Sequence, residues 1–175
     1  MTHLLDYQPL NLYTNYQEAA EKTPTVPIIF DESLPAFPAL GLETTYGESH
    51  QEILKRAYQL AALGVKKGDK IIIYKSPKFD TYLLAVAASY LAAVPVMVSY
   101  HLPFETIEVF VDRLEDPYIL FDDVTAEKVQ AVRNSSANKK LSVASLLEAD
   151  ATEVPQDELT KDEIAYMTHT SGTTG

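Results

Sequence analysis

Lys70-Ile71-Ile72-Ile73-Tyr74-Lys75-Ser76-Pro77-Lys78-Phe79-Asp80-Thr81-Tyr82-Leu83-Leu84-Ala85-Val86-Ala87-Ala88-Ser89-Tyr90-Leu91-Ala92-Ala93-Val94-Pro95-Val96-Met97-Val98-Ser99 is the stretch on which the fold turns. Ile71 to Tyr74 is a continuous apolar run, the pattern of a strand buried on both faces of a parallel sheet. Ser76 and Pro77 read as a helix N-cap followed by a first-turn proline. The helix they open carries Phe79, Leu83, Leu84, Ala87, Ala88 and Leu91 on one side at helical spacing. Val94 to Ser99 is the next strand. A strand, a helix and a strand in this order form a parallel crossover unit.

A second unit follows. Pro103 to Leu114 reads as a helix that buries Ile107, Phe110, Val111 and Leu114 and exposes Glu105, Glu108, Asp112 and Arg113. Tyr118 to Phe121 is a strand, and Thr125 caps a short helix after it. Upstream, Asn11 to Lys22 is a first short helix and Thr25 to Phe30 a β-branched run. Asp31 to Gly41, with Pro35 and Pro38, is a loop. Glu48 to Leu63 is a long helix with Ile53, Leu54, Ala57, Tyr58, Leu60 and Ala61 on its apolar stripe, and Gly64 stops it. Downstream, Asn134 to Lys140 is a polar loop, Leu141 to Leu147 a weak strand or turn, and Asp150 to Asp162 acidic and irregular. The fold class is α/β: a three-layer, mostly parallel sheet with helices on both faces and right-handed crossovers.

Composition narrows the function classes. The 175 residues are enough for one domain with a substantial core, and 46% are hydrophobic. With no cysteine there is no disulfide, thiolate metal site or cysteine nucleophile, which fits a reducing, cytoplasmic setting. No apolar run reaches the roughly 18–20 residues that span a bilayer, and Met1 to Asp6 lacks the basic-then-apolar pattern of a signal peptide. A net charge of −11 argues against a nucleic-acid partner or an anionic membrane surface.

The last six residues carry the chemistry. Ile164-Ala165-Tyr166-Met167 reads as a strand, and it runs into Thr170-Ser171-Gly172-Thr173-Thr174-Gly175. Gly172 and Gly175 take positive φ without a Cβ clash. Successive N–H groups then turn inward as an anion cradle, and Thr170, Ser171, Thr173 and Thr174 add hydroxyl donors. The reading is a phosphate-binding loop; the alternative is a hydroxyl-rich linker. The chain ends inside this loop, and the expectation is that residues 1–175 are the incomplete N-terminal portion of a larger nucleotide-using enzyme.

Tyr166 to Gly175 resembles the phosphate-loop signature of the adenylate-forming (AMP-binding) superfamily, which includes acyl-CoA synthetases, luciferases and nonribosomal peptide adenylation domains. Upstream segments agree in order and spacing. Thr45-Tyr46-Gly47-Glu48 resembles the start of the family's first long helix. Leu60 to Ile71 resembles its Leu-Gly-Val-x-x-Gly-Asp turn. Ala92 to Val96 stands at its Ala-Gly-Ala-x-x-x-Pro segment, with Ala93 in place of glycine. Leu102-Pro103-Phe104-Glu105 stands at its Leu-Pro-x-Glu helix start, and Asp162 to Ala165 at its approach to the loop. Ser99-Tyr100-His101 departs from the usual residues, which leaves the subfamily open.

The resemblance implies an ATP-dependent, AMP-forming ligase. It would activate a carboxylic acid as an acyl-adenylate, with Mg²⁺ arriving on ATP, and pass the acyl group to coenzyme A or a carrier-protein thiol. Thr170, Ser171, Gly172, Thr173, Thr174 and Gly175 would hold the β- and γ-phosphates. The adenine, acid and metal-carboxylate groups are expected beyond residue 175, so catalytic residues are unassigned and the isolated chain is expected to be inactive. The alternative is a truncated, non-catalytic α/β module. Self-association through an exposed sheet edge is a further expectation.

Among other candidates, His169 reads as a partly buried strand histidine, with a catalytic or substrate-facing role as the alternative, and His101 as a loop histidine without a role, with a pocket residue as the alternative. His3 and His50 lack partners at metal-ligand spacing, so no protein metal site is read. Asp122-Asp123 reads as a loop cap, with a metal or acid–base pair as the alternative. The 11 tyrosines read as core and rim packing.

Overall fold

A computed structural model of the chain describes residues 11–169. Its centre is a five-stranded, all-parallel sheet formed by β3 (Lys70–Ile73), β4 (Val94–Met97), β5 (Tyr118–Phe121), β6 (Lys140–Ser142) and β7 (Met167–Thr168), in the order β6-β5-β3-β4-β7. A separate antiparallel hairpin pairs β1 (Pro27–Ile29) with β2 (Glu43–Thr45). The first crossover runs from β3 to β4 through α3 (Asp80–Tyr90). The second returns across β3 to β5 through α4 (Phe104–Leu114). The two run in opposite directions along the sheet, so crossovers of one hand must place their helices on opposite faces.

The packing shows this. One core cluster joins Ile71, Ile73, Leu120 and Leu141 of the sheet to α1 (Leu12–Lys22), α2 (Tyr46–Ala62), α3 and α6 (Val143–Glu148). The other joins Ile72, Tyr74, Val96, Ile119 and Phe121 to α4 and α5 (Ala126–Ala131). The alternate residues of β3 thus serve two cores, which is why the run needs isoleucine at every position. α3 is buried around its whole circumference from Leu83 to Tyr90, because α1 and α2 cover the side away from the sheet.

Local sequence fixes the helix ends. Asn11 caps α1 by accepting from the N–H groups of Tyr13 and Thr14. Thr45 and Glu48 form a reciprocal capping box at the start of α2. Gly64, at φ +97°, ends that helix as its glycine predicts.

Several expectations are corrected. α3 starts at Asp80, not at Ser76-Pro77, because the Ser76 hydroxyl and N–H both bind Asp122 and residues 76–79 are held in turns. Phe79, assigned to the buried side of that helix, is 46% exposed. Thr125 precedes α5, but its hydroxyl donates to the Tyr74 carbonyl and does not cap the helix. Leu141 to Leu147 resolves into the end of β6 and the α6 helix, with Ser142 as N-cap. The final strand is only Met167–Thr168, while Ile164 and Tyr166 are exposed. The glycine-like conformation lies at Ala92, φ +48°, one residue before Ala93.

Candidate functional site: the carboxyl rim of the sheet

In an open parallel sheet, ligands bind outside the carboxyl ends of the strands, where neighbouring loops leave for opposite faces. Here the β3 loop turns towards α3 on one face. The loops after β4 and β5 turn towards α4 and α5 on the other. A crevice therefore opens on each side of the end of β3.

The β3/β5 side is filled by a buried polar cluster. The Lys75 ammonium lies 2.6 Å from Asp80 and 3.7 Å from Asp122. The side chains of Lys75 and Asp80 are fully buried, and that of Asp122 is 8% exposed. Lys75 also donates to the Ser76 carbonyl. Asp122 accepts from the N–H and hydroxyl of Ser76 and from the Val124 N–H, which is the loop-cap role read from sequence. Asp80 also accepts from the Ala36 N–H at 3.0 Å, and the Arg56 guanidinium donates to the Ala36 carbonyl at 2.6 Å. Arg56 is 2% exposed, and burial lowers its pKa. These two charged side chains fasten the Asp31–Gly41 loop to the rim.

The β3/β4 side is open. A cleft of about 440 Å³ lies between Lys75, Pro77, Lys78 and Thr81 on one wall and Val98, Ser99, Tyr100 and His101 on the other. Lys128 of α5 donates to the carbonyls of Tyr100 and Leu102 and fixes the second wall. The Tyr74 hydroxyl donates to the same Leu102 carbonyl. His101 is exposed, its ring against Tyr100. Lys78, on the first wall, pairs with Glu32 at 2.9 Å.

β7 brings the chain to the same rim. It pairs with β4, and the His169 N–H donates to the Met97 carbonyl at 3.2 Å. His169 is exposed and packs beside Phe110, correcting the partly buried placement read from sequence. The segment that follows it, Thr170, Ser171, Gly172, Thr173, Thr174 and Gly175, lies outside the described residues, as does His3. His50 is part-buried on the far side of the core and bonds the Tyr13 hydroxyl at 3.1 Å. Asp123 is exposed. Among the described residues no group of three or more His, Cys, Asp or Glu side chains is placed to hold a metal ion. No helix among them is long and apolar enough to cross a membrane.

Sequence reasoning missed Lys75, Asp80 and Arg56. Lys75 and Asp80 did leave a signal, as charges set five residues apart between two strongly apolar runs. Arg56 stands among the polar positions of a helix whose apolar stripe is legible.

A parallel sheet whose last strand brings the chain to a carboxyl-end crevice has the ligand-binding architecture of open α/β proteins. The chain belongs to the AMP-binding enzyme family, whose model matches residues 16–175. It is similar to a 3-amino-2-hydroxy-4-methoxybenzoate diazotase of Streptomyces cremeus, with 33% identity over 110 residues, 63% of this chain and 20% of that protein. It is also similar to a 2-succinylbenzoate–CoA ligase of Geobacillus sp. (strain WCH70), with 27% identity over 135 residues, 75% of this chain and 26% of that protein. A long-chain-fatty-acid–CoA ligase of Archaeoglobus fulgidus has the same fold, with a TM-score of 0.77 at 18% identity, over 98% of this chain and 36% of that one. The chain thus spans about a fifth to a quarter of the length of these curated relatives.

Proposed function

We propose that the chain is the N-terminal portion of an ATP-dependent, AMP-forming enzyme that activates a carboxylic acid as an acyl-adenylate. The observation that carries the reading is positional. The family match runs to residue 175, and β7 ends at the carboxyl rim beside β4, directly before the Ser/Thr/Gly segment in the sequence. In this reading Thr170, Ser171, Thr173 and Thr174 donate hydroxyl hydrogen bonds to the β- and γ-phosphates, and the backbone at Gly172 and Gly175 folds around them. The loop holds the pyrophosphate while the acid carboxylate attacks the α-phosphorus. This is positioning and charge stabilisation, with no covalent step by the protein. Mg²⁺ enters on the nucleotide and shares its charge. A thiol, of coenzyme A or of a carrier protein, then takes the acyl group.

Both sequence relatives named above carry a benzoate in their names, so substituted benzoates are the first acids to test. The assay is acid-dependent exchange of labelled pyrophosphate into ATP by the full-length protein. Exchange above the acid-free background is the expected result. Its absence across aromatic, aliphatic and amino acids would contradict the reading. The 175-residue chain alone is expected to be inactive, and Mg·ATP binding to it tighter than about 100 μM would count against that. The edge of β7 away from β4 has no strand partner among the described residues, so the isolated chain is expected to self-associate. A monomeric size-exclusion profile at high concentration would refute this.

A further inference from the structure

The cluster at the end of β3 is not balanced. One cation, Lys75, contacts two carboxylates, Asp80 and Asp122, and Lys78 lies within electrostatic reach of both. On the wall of the neighbouring cleft, Lys78 is matched by Glu32. The rim that receives β7 therefore carries one net negative charge from this cluster, and without Lys75 it would carry two. β3 and β5 stand two and three strands from β7, so the cluster lies roughly 10–15 Å from the end of β7. Buried charges are poorly screened by salt over that range. A unit charge there changes the binding of an anion by roughly an order of magnitude.

We infer that Lys75 is an electrostatic positioning residue for the nucleotide: it holds the charge of Asp80 and Asp122 off the rim at which a phosphate-bearing ligand sits. The inference rests on the nucleotide reading above. It assigns a role to a lysine whose side chain is fully buried. A purely structural ion pair would need the aspartate as much as the lysine. An electrostatic screen predicts opposite signs for the two partners.

The test is titration of Mg·ATP into the full-length protein and its variants at 0.1 M and 0.5 M salt. Lys75→Met leaves two uncompensated carboxylates and is expected to weaken binding roughly ten-fold. Asp80→Asn keeps the shape and one of the two acceptors that serve Ala36 N–H and Lys75, removes one negative charge, and is expected to tighten binding. Lys75→Met with Asp80→Leu restores the original net charge and is expected to bind within about two-fold of the parent. Lys75→Arg likewise keeps the charge and the affinity. The Lys75→Met and Asp80→Asn shifts persist at 0.5 M salt, because the charges are buried. If Lys75→Met does not fold, the sign of the Asp80→Asn shift decides alone. Weakening by both substitutions, or no shift in either, overturns the inference while leaving the nucleotide reading intact. Failure of the parent protein to bind Mg·ATP overturns both.

Discussion

At the amino ends of the strands the chain turns by backbone conformation. Gly64 and Gly68 precede β3, Ala92 precedes β4, and Glu115 and Asp116 precede β5, all at positive φ. The loops that leave the carboxyl ends of β3, β4 and β5, residues 74–79, 98–103 and 122–125, contain no positive-φ residue. There the loops after β3 and β5 are joined by side chains: Ser76 to Asp122, Thr125 to Tyr74, and Lys75 to Asp80 and Asp122. A loop shaped by its own φ values needs few partners and little sequence beyond glycine. A loop shaped by buried charges depends on distant residues and is costly to alter. The second construction surrounds the crevice at which ligands of parallel sheets bind.

The sharpest way to break this comparison is Lys75→Met. It leaves Asp80 buried without its cation and should cost about 3–5 kcal/mol, read as a lower urea midpoint at unchanged slope. Replacing both partners at once, Lys75→Met together with Asp80→Leu, should recover most of that loss. A small effect for the single change would mean that the carboxyl rim is no more dependent on side chains than the amino rim.

On the amino rim the expected effects are smaller and have a sign set by φ. Gly64→Ala should cost about 1–2 kcal/mol, because the residue sits at φ +97° and a Cβ would lie 3.2 Å from the Tyr118 hydroxyl oxygen. Glu115→Gly should stabilise by about 1 kcal/mol, because Glu115 is exposed and holds φ +61° at the C-cap of α4. A thermal melt of each variant checks both directions, and a destabilised Glu115→Gly would show that the rim depends on the glutamate side chain.

The smallest effect is expected away from both rims, at His50. Burial lowers its pKa from the ordinary value near 6.5, with Glu21 opposing. The folded state therefore resists protonation that the unfolded chain accepts. The stability His50 contributes is present above about pH 6.5 and is lost as pH falls through the folded value. Denaturant midpoints between pH 7 and pH 5 should decline less steeply for His50→Gln than for the parent. Equal slopes would remove His50 from the account.

What the sequence reveals follows the same division. The apolar run of β3, the helical stripes, the Thr45–Glu48 box and Gly64 are local signals, and each is readable because one period or one cap decides it. Three-layer architecture follows from strand and helix alternation. The hairpin strand β2 is not readable, because Glu43-Thr44-Thr45 gains its strand character only from pairing with β1. Ser76-Pro77 misleads for a related reason: a good capping pair is diverted by Asp122, 46 residues away. The buried cluster is likewise long-range chemistry, since nothing near Lys75 in sequence states that Asp122 will face it. Of the candidate site, the loop residues are legible as a motif and the crevice beside them is not.

The most direct measurement of the central claim is backbone amide NMR of the full-length protein with and without Mg·ATP, comparing the two rims. The account predicts shifts at Ser76, at Ser99 to Leu102 and at His169, with Gly68, Glu115 and Asp116 unmoved. Saturable shifts confined to the amino rim, or none at either end, would contradict it.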